Sequence, residues 1–282
     1  FKLITILGIL SLPLAAFLFF KLMNFRFPTP IIAATSSMFF LFIESYSMWG
    51  GNILSTLAGE FTYSIGMSLM VLFFGTLYNG IEEKKHLMLN SILLALTGLN
   101  HVYTLLIAGT SSLFFLLAKR HFKENLKYLS KIYALSFLLM SFWIFPLFSK
   151  LGYTTPYDLK WVITNAMGLL PKILLPFFIL SLFSLLLLLN KEARNDKRVF
   201  YLFFPVIASI IFFLAAAKLG IVNIRFVPFA HLFVIFISVF ALNKLIEKLR
   251  LKWMIPLIFI IASILWINYN EIDAHNWIKW NY

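Results

Sequence analysis

MLNSILLALTGLNHVYTLLIAGTSSLFFLLA, residues 88–118, is the stretch that decides the topology of this chain. A helix that crosses a bilayer needs about 20 mostly apolar residues, so the stretch is too long for one span and short for two. Its middle, TGLNHVY at 97–103, combines helix-breaking and polar residues. The stretch is therefore either one long span or a hairpin of two short helices that meet near His101.

The remainder of the chain is made mostly of apolar runs. It is 61% hydrophobic and 12% charged, whereas soluble domains carry about 25% charged residues. This composition predicts a polytopic membrane protein. Cysteine is absent, which excludes disulfides, thiolate metal sites and a cysteine nucleophile. The runs long enough to span a bilayer are 3–20, 31–47, 62–79, 132–148, 173–190, 199–217, 226–243 and 253–269.

The distribution of basic residues favours the hairpin. With a hairpin at 88–118, 17 of the 24 Lys and Arg residues fall in connections on one side of the membrane and six on the other. With a single span, the five cations of segment 119–131 would lie on the other side of the membrane. All later loops would then exchange sides as well. Cytoplasmic loops are rich in Lys and Arg, so the hairpin agrees better with this rule. The fold class predicted is an all-α, multi-pass transmembrane helical bundle of the cell membrane, with about ten helical segments.

The same rule explains the net charge of +13 without a nucleic-acid partner. The ends predict a piece of a longer protein, because the sequence starts at Phe1 and closes in NEIDAHNWIKWNY, residues 270–282. We expect residues 1–269 to belong to a longer transmembrane domain and residues 270–282 to begin an extracytoplasmic segment.

The predicted topology places ionisable residues from four connections, Glu60, His101, Asp158 and Arg225, on the non-cytoplasmic side. Ionisable groups at membrane depth are costly, usually face the interior of a bundle and often mark function. We therefore predict that the four line a cleft. Glu44, near the outer end of its helix, is a further candidate for the same cluster.

Each of these residues also has a structural alternative. Glu60 precedes a helix expected from Thr62, so it either stabilises that helix N-terminus or acts as a general base, a metal ligand or the partner of a cation. His101 either bonds a nearby carbonyl, contacts a phosphate or sugar, or transfers a proton at neutral pH. Arg225 either reaches the lipid headgroups or recognises a phosphate through two parallel hydrogen bonds. Asp158 lies in the longest outer loop and is either solvated or part of the cleft.

Four motifs together resemble one known family: LSTLAGEFTYSIGMSL (54–69), LTGLNHVYTLL (96–106), IRFVPFAHLF (224–233) and WIKWNY (277–282). The family comprises prokaryotic membrane proteins named after a 6-pyruvoyl-tetrahydropterin synthase-related domain. The pterin synthases themselves are soluble and use a zinc held by histidines, a site that this sequence does not offer. The resemblance implies instead a fold like that of the GT-C glycosyltransferases, which take sugars from polyprenyl-phosphate donors at the outer face.

In such enzymes the main catalytic acid typically lies in the first external loop, which here would precede Phe1. The resemblance therefore implies that Glu60, His101 and Arg225 have a supporting role around the donor phosphate and sugar. Sugar transfer also needs a base for the acceptor, and Glu60 or an upstream acid would fit that catalytic role. It leaves the cofactor open, with a divalent metal as one option, although no metal ligands are predicted. The expected partners are membrane lipid and a polyprenyl-phosphate-linked sugar. Two other functions remain as alternatives: a transporter or flippase for a lipid-linked or small anionic substrate, and a non-catalytic envelope assembly protein.

Overall fold

The computed structural model describes residues 2–44, 49–117, 121–153, 161–162, 169–247, 252–270 and 274–281. This part of the chain is nearly all helical and contains no strand. Its α-helices are α1 (Lys2–Leu22), α2 (Thr29–Leu41), α3 (Ile53–Ser55), α4 (Phe61–Gly80), α5 (Leu87–Asn100), α6 (Val102–Ser112), α7 (Phe122–Ser149), α8 (Leu175–Leu187), α9 (Lys191–Asn195), α10 (Lys197–Leu219), α11 (Val227–Ile246), α12 (Ile255–Tyr269) and α13 (Ala274–Asn281). A π-helical turn, Thr56–Glu60, joins α3 to α4, and short 3₁₀ turns occupy Leu113–Leu117, Leu151–Tyr153, Lys172–Leu174 and Asn223–Phe226.

Ten helical segments within the described ranges are apolar, as the sequence predicts. Five are long and apolar enough to cross a membrane: Lys2–Leu22, Ile53–Gly80, Phe122–Ser149, Lys197–Leu219 and Asn223–Ile246. Five are shorter: Thr29–Leu41, Leu87–Asn100, Val102–Leu117, Lys172–Leu187 and Ile255–Tyr269. The prediction of an all-α membrane bundle of about ten segments is confirmed.

The hairpin at 88–118 is also confirmed. α5 ends at Asn100, His101 adopts an extended backbone conformation, and α6 starts at Val102. α5 runs against the direction of α4, because Asn90 meets Thr76 near one end and Asn100 lies beside Gly66 near the other. α6 then returns alongside α4, so the tip at His101 lies close to the start of α4.

α1 and α4 run parallel in close contact. A Cβ atom placed on Gly8 would lie 2.5 Å from Ser64, and one placed on Gly75 would lie 3.0 Å from the Cα of Phe19. Small residues let helix backbones approach in this way inside a membrane. The parallel pair puts the start of α1 and the start of α4 at one end of the bundle, which we call the Glu60 end.

α11 forms the centre of the bundle. In the 18-residue apolar stretch of Asn223–Ile246, which includes α11, 83% of the residues are buried, against 17% in the corresponding stretch of α7. Phe233 and Phe236 of α11 pack on Phe19 of α1, and Phe233 also packs on Phe74 of α4. Peripheral helices instead present large apolar side chains outwards, among them Phe142 of α7 at 70% exposure. In a bilayer such surfaces face lipid.

α7 begins ten residues before the predicted span at 132–148 and therefore includes part of segment 119–131, which the hydropathy pattern indicates as a loop. Lys123, Lys127 and Lys131 recur every four residues and are exposed, so they share one helical face. Asn125, Tyr128 and Leu129 on the other face are buried. The helix continues past the apolar run because it still packs on one side while its lysines remain solvated.

The opposite end of the bundle is held by an ionic network around Asp196, and we call it the Asp196 end. Asp196 caps α10 and accepts hydrogen bonds from the guanidinium of Arg198 at 2.8 and 2.7 Å, while Lys244 of α11 lies 3.6 Å away. Arg198 also donates to the carbonyl of Asn24 and stacks on Phe25. Burial acts to raise the pKa of Asp196, but the hydrogen bonds and charge of Arg198, with Lys244, lower it below its ordinary value.

Candidate functional site

The segment before Glu60 is anchored to the end of α2 by Asn52. The Asn52 side chain donates to the carbonyl of Ile43 at 2.6 Å and accepts from the backbone N–H of Ser55 at 2.9 Å, which caps the single turn of α3. Asparagine is a preferred residue at this capping position. This segment therefore folds back towards the end of α2 and fixes where the next turn begins.

The π-helical turn Thr56–Glu60 sets the direction of the Glu60 side chain. Gly59 within it has φ of +118°, a conformation that L side chains rarely adopt. Glu60 occupies the N-cap position of α4, yet its side chain makes no capping hydrogen bond. The structure thus does not support a capping role for this carboxylate, which is directed elsewhere. π-turns of this kind occur frequently at functional sites.

Arg225 is the partner of Glu60. It lies in the 3₁₀ turn Asn223–Phe226 that leads into α11, 165 residues further along the chain. Its Nη1 donates to Oε2 of Glu60 at 2.7 Å and its Nη2 donates to Oε1 at 2.6 Å. The two side chains are 18% and 19% exposed. Arg225 therefore binds a carboxylate within the protein rather than reaching out to headgroups, and each charge compensates the other.

His101 completes the ionisable part of the site. Its Nε2 lies 3.9 Å from Oε2 of Glu60, and its side chain is 15% exposed. The imidazole packs against the rings of Tyr63 and Tyr103, with centroids 4.6 and 5.4 Å away. Its Nδ1 is buried and has no hydrogen-bond partner among the described residues. The imidazole is thus held in place mainly by ring packing, with its Nε2 directed at the carboxylate.

Two tyrosines hold the ionisable residues in place. The hydroxyl of Tyr63, in the first turn of α4, donates to the backbone carbonyl of Arg225 at 2.5 Å. The hydroxyl of Tyr103, in the first turn of α6, accepts from the backbone N–H of Val222 at 2.8 Å, and its ring lies 6.0 Å from the guanidinium carbon of Arg225. We call Glu60, Tyr63, His101, Tyr103 and Arg225 the Glu60 cluster.

Neither tyrosine is among the site residues predicted from the sequence. Each follows a predicted ionisable residue by two or three positions, in GEFTY and NHVY. That spacing at the membrane end of a helix is a usable signal, because tyrosine has an apolar ring with a polar tip and needs a hydrogen-bond partner when buried. The pattern does not reveal which backbone groups the hydroxyls bind.

Asp158 and Glu44 are the two other residues that the sequence predicts for this site. Asp158 lies outside the described residues and stays a prediction. Trp161, three positions later, exchanges two hydrogen bonds with the side chain of Asn223 and so lies close to the turn that carries Arg225. Glu44 follows the end of α2 and is partly buried, and its role at the site also stays a prediction.

An apolar cavity of about 340 Å³ lies beside the cluster. Its lining comes from α8, α10 and α11 and includes Phe178, Phe213 and the two residues that follow Arg225, Phe226 and Val227. His231 also borders it; the histidine is buried, and its Nε2 hydrogen-bonds the carbonyl of Leu169 at 2.7 Å. The link between the polar cluster and this cavity is Phe226, which lines the cavity and packs on the ring of Tyr103 with centroids 4.9 Å apart.

Within the described part of the chain, no group of three or more His, Cys, Asp or Glu side chains is arranged to hold a metal ion. The Glu60 cluster supplies one carboxylate, one imidazole and one guanidinium at the same point. Such a set can bind an anion through the guanidinium and move a proton through the carboxylate or the imidazole.

These features define a polytopic helical membrane protein with an ion-paired polar cluster at one end of its bundle. The chain belongs to the family of the 6-pyruvoyl-tetrahydropterin synthase related domain, a family of membrane proteins whose model matches residues 1–271. The resemblance noted from the sequence motifs is thereby confirmed at the level of the family. Comparison with curated proteins and with solved structures gives no match.

Proposed function

We propose that this protein is a glycosyltransferase of the GT-C type, which transfers a sugar from a polyprenyl-phosphate donor at the outer face of the cell membrane. The observation that carries the proposal is the position of Arg225. Its guanidinium binds the carboxylate of Glu60, whose Oε2 lies 3.9 Å from His101, and the two residues that follow it, Phe226 and Val227, line an apolar cavity. A lipid phosphate has the same two parts, an anionic head and an apolar chain.

The geometry supports a defined mode of binding. The polyprenyl chain would enter the cavity along Phe226 and Val227, and the phosphate would take over part of the guanidinium fork that Glu60 occupies in the structure. Guanidinium binds carboxylate and phosphate with the same planar pair of hydrogen bonds. Binding of the donor would therefore release the carboxylate of Glu60 for a second task.

That task would be proton transfer. In the proposed reaction a hydroxyl oxygen of the acceptor attacks the anomeric carbon of the sugar, and the bond from that carbon to the phosphate oxygen breaks. The acceptor proton passes to a carboxylate, and the polyprenyl phosphate leaves with its negative charge stabilised by Arg225. Glu60 is the carboxylate that this site supplies. His101, 3.9 Å from it, can share the proton.

The first test is an assay of the full-length protein in proteoliposomes. Undecaprenyl phosphates that carry radiolabelled mannose, glucose or galactose serve as donors, and a membrane extract serves as the acceptor. We expect transfer from at least one donor, a loss of about 100-fold or more in Arg225→Gln and a smaller loss in Glu60→Gln. Removing one preorganised charge-stabilising donor costs an enzyme about 10²–10³ in kcat.

Lys218→Gln is the matched control, because Lys218 is an exposed cation at the same end of the bundle, in the last turn of α10. It should keep the activity of the parent protein. Full activity of a correctly assembled Arg225→Gln protein would exclude the proposed role of Arg225. Transport of the intact labelled lipid without cleavage would show that the protein is a flippase and not a glycosyltransferase. The absence of both transfer and transport would favour a non-catalytic role in envelope assembly.

A further inference from the structure

A second polar site lies at the Asp196 end, on the other side of the bundle from the Glu60 cluster. It is a cavity of about 490 Å³ between the end of α4, the 3₁₀ turn after α6 and the starts of α7 and α10. Tyr78, Phe114 and Phe115 form an apolar wall, and Lys84 and Lys197 stand at its polar rim. We call this cavity the Lys84 pocket.

The charges at the rim favour an anion. Lys197 is exposed, and the described residues give it no ion-pair or hydrogen-bond partner. Glu82 adds one negative charge, and the His121 side chain faces Glu124 at 3.3 Å. Among the described residues that line the pocket, the two lysines and Glu82 together carry one net positive charge.

Lys84 is held in a fixed position at this rim. Its backbone has φ of +55°, which is uncommon for a residue other than glycine. Its ammonium donates to the carbonyl of Ile81 and to the side chain of Asn125, each at 2.5 Å. An ammonium group has three donors, so one remains for a ligand. Strained residues that the surrounding structure holds in place occur preferentially at binding sites.

We propose that the Lys84 pocket binds the phosphate headgroup of an anionic phospholipid. Basic pockets between transmembrane helices recognise such headgroups, and a polybasic surface attracts anionic lipid even before specific contacts form. The apolar wall selects a lipid over a free phosphate, because Phe114 and Phe115 offer a surface for the glycerol backbone and the first acyl carbons. This inference does not depend on the sugar-transfer reaction proposed above.

Native mass spectrometry of the full-length protein tests the proposal. The purified protein is delipidated and then equilibrated in detergent with equal amounts of dioleoyl phosphatidylglycerol and dioleoyl phosphatidylcholine. We expect at least about tenfold preferential retention of phosphatidylglycerol. Lys84→Gln/Lys197→Gln should lose this preference, since each lysine near a membrane surface strengthens binding of anionic lipid roughly fivefold.

The control is Lys191→Gln/Lys252→Gln, which removes the same charge from the same end outside the pocket and should retain the preference. Lys197→Gln alone should lower the preference about threefold to fivefold, which keeps the test decisive if loss of Lys84 disturbs folding. Equal retention of the two lipids by the parent protein, or equal loss in the control, would overturn the proposal. Displacement of the lipid by millimolar glycerol phosphate would overturn the lipid as the ligand and assign the pocket to a soluble phosphate.

Discussion

At the scale of single residues, the central finding is that Glu60 and Arg225 are partners. The sequence marks both as ionisable residues on one side of the membrane, and a cationic partner is one of the roles it allows for Glu60. It does not identify the partner, because 165 residues separate the two. In the folded chain both hydrogen bonds of the guanidinium fork reach the carboxylate, so neither charge is left uncompensated near the apolar core.

The pair makes a prediction about stability. Glu60→Gln and Arg225→Gln should each lower the free energy of unfolding by about 1–3 kcal/mol, because each leaves a charged partner that is more than four-fifths buried. The double variant should be destabilised by about 1–2 kcal/mol less than the sum of the single variants, as residues in direct contact are coupled. Unfolding in mixed micelles of a mild detergent and dodecyl sulfate measures all three.

Strictly additive losses would show that the two side chains do not interact in the membrane protein. Lys218→Gln serves as the reference for loss of an exposed charge and should change the free energy of unfolding by less than about 0.5 kcal/mol.

At the scale of secondary-structure elements, two irregular turns build the site. The break at His101 could be predicted, because polar residues interrupt a run too long for one span. The π-turn at Thr56–Glu60 could not, since Gly59 alone does not distinguish a loop from a wide helical turn. Both turns come to the same end of α4, which is why Glu60 and His101 meet.

The π-turn can be tested with two glycines. A Cβ atom on Gly59 or on Gly109 would meet no other atom within 4 Å, so neither substitution by alanine is opposed by packing. Gly59 has φ of +118° and Gly109 lies within α6. We expect Gly59→Ala to cost about 1–2 kcal/mol through backbone strain and Gly109→Ala to be neutral or stabilising by up to about 1 kcal/mol.

Thermal unfolding of the two variants in the same detergent gives this comparison. Equal melting temperatures for Gly59→Ala and Gly109→Ala would show that the turn does not need a backbone conformation with positive φ at position 59.

At the scale of the whole molecule, the polar sites described above lie at the two opposite ends of the bundle. The Glu60 cluster lies at one end, and the Asp196 network and the Lys84 pocket lie at the other. The cation-rich connections also gather at the Asp196 end, which the positive-inside rule assigns to the cytoplasm. The rule therefore predicts the orientation that an outer-face reaction at Glu60 requires.

Single-cysteine labelling checks this orientation, since the chain has no cysteine of its own. Lys218→Cys, at the Glu60 end, should react with a membrane-impermeant maleimide in intact cells. Lys191→Cys and Lys252→Cys, at the Asp196 end, should react only after permeabilisation. The opposite pattern would place the Glu60 cluster in the cytoplasm and would exclude an outer-face donor site.

Composition and hydropathy by themselves determine that this chain forms a bundle of apolar helices in a membrane, because a spanning segment must satisfy its own backbone hydrogen bonds. Local polarity adds the break at His101 and the ionisable candidates. The tertiary structure alone decides that α1 and α4 pack in close contact, that α7 continues through its lysines, and that Glu60 binds Arg225. Helix periodicity repeats along one segment, whereas these three features depend on packing between segments far apart in the chain. That packing also turns separate charged residues into one site beside an apolar cavity.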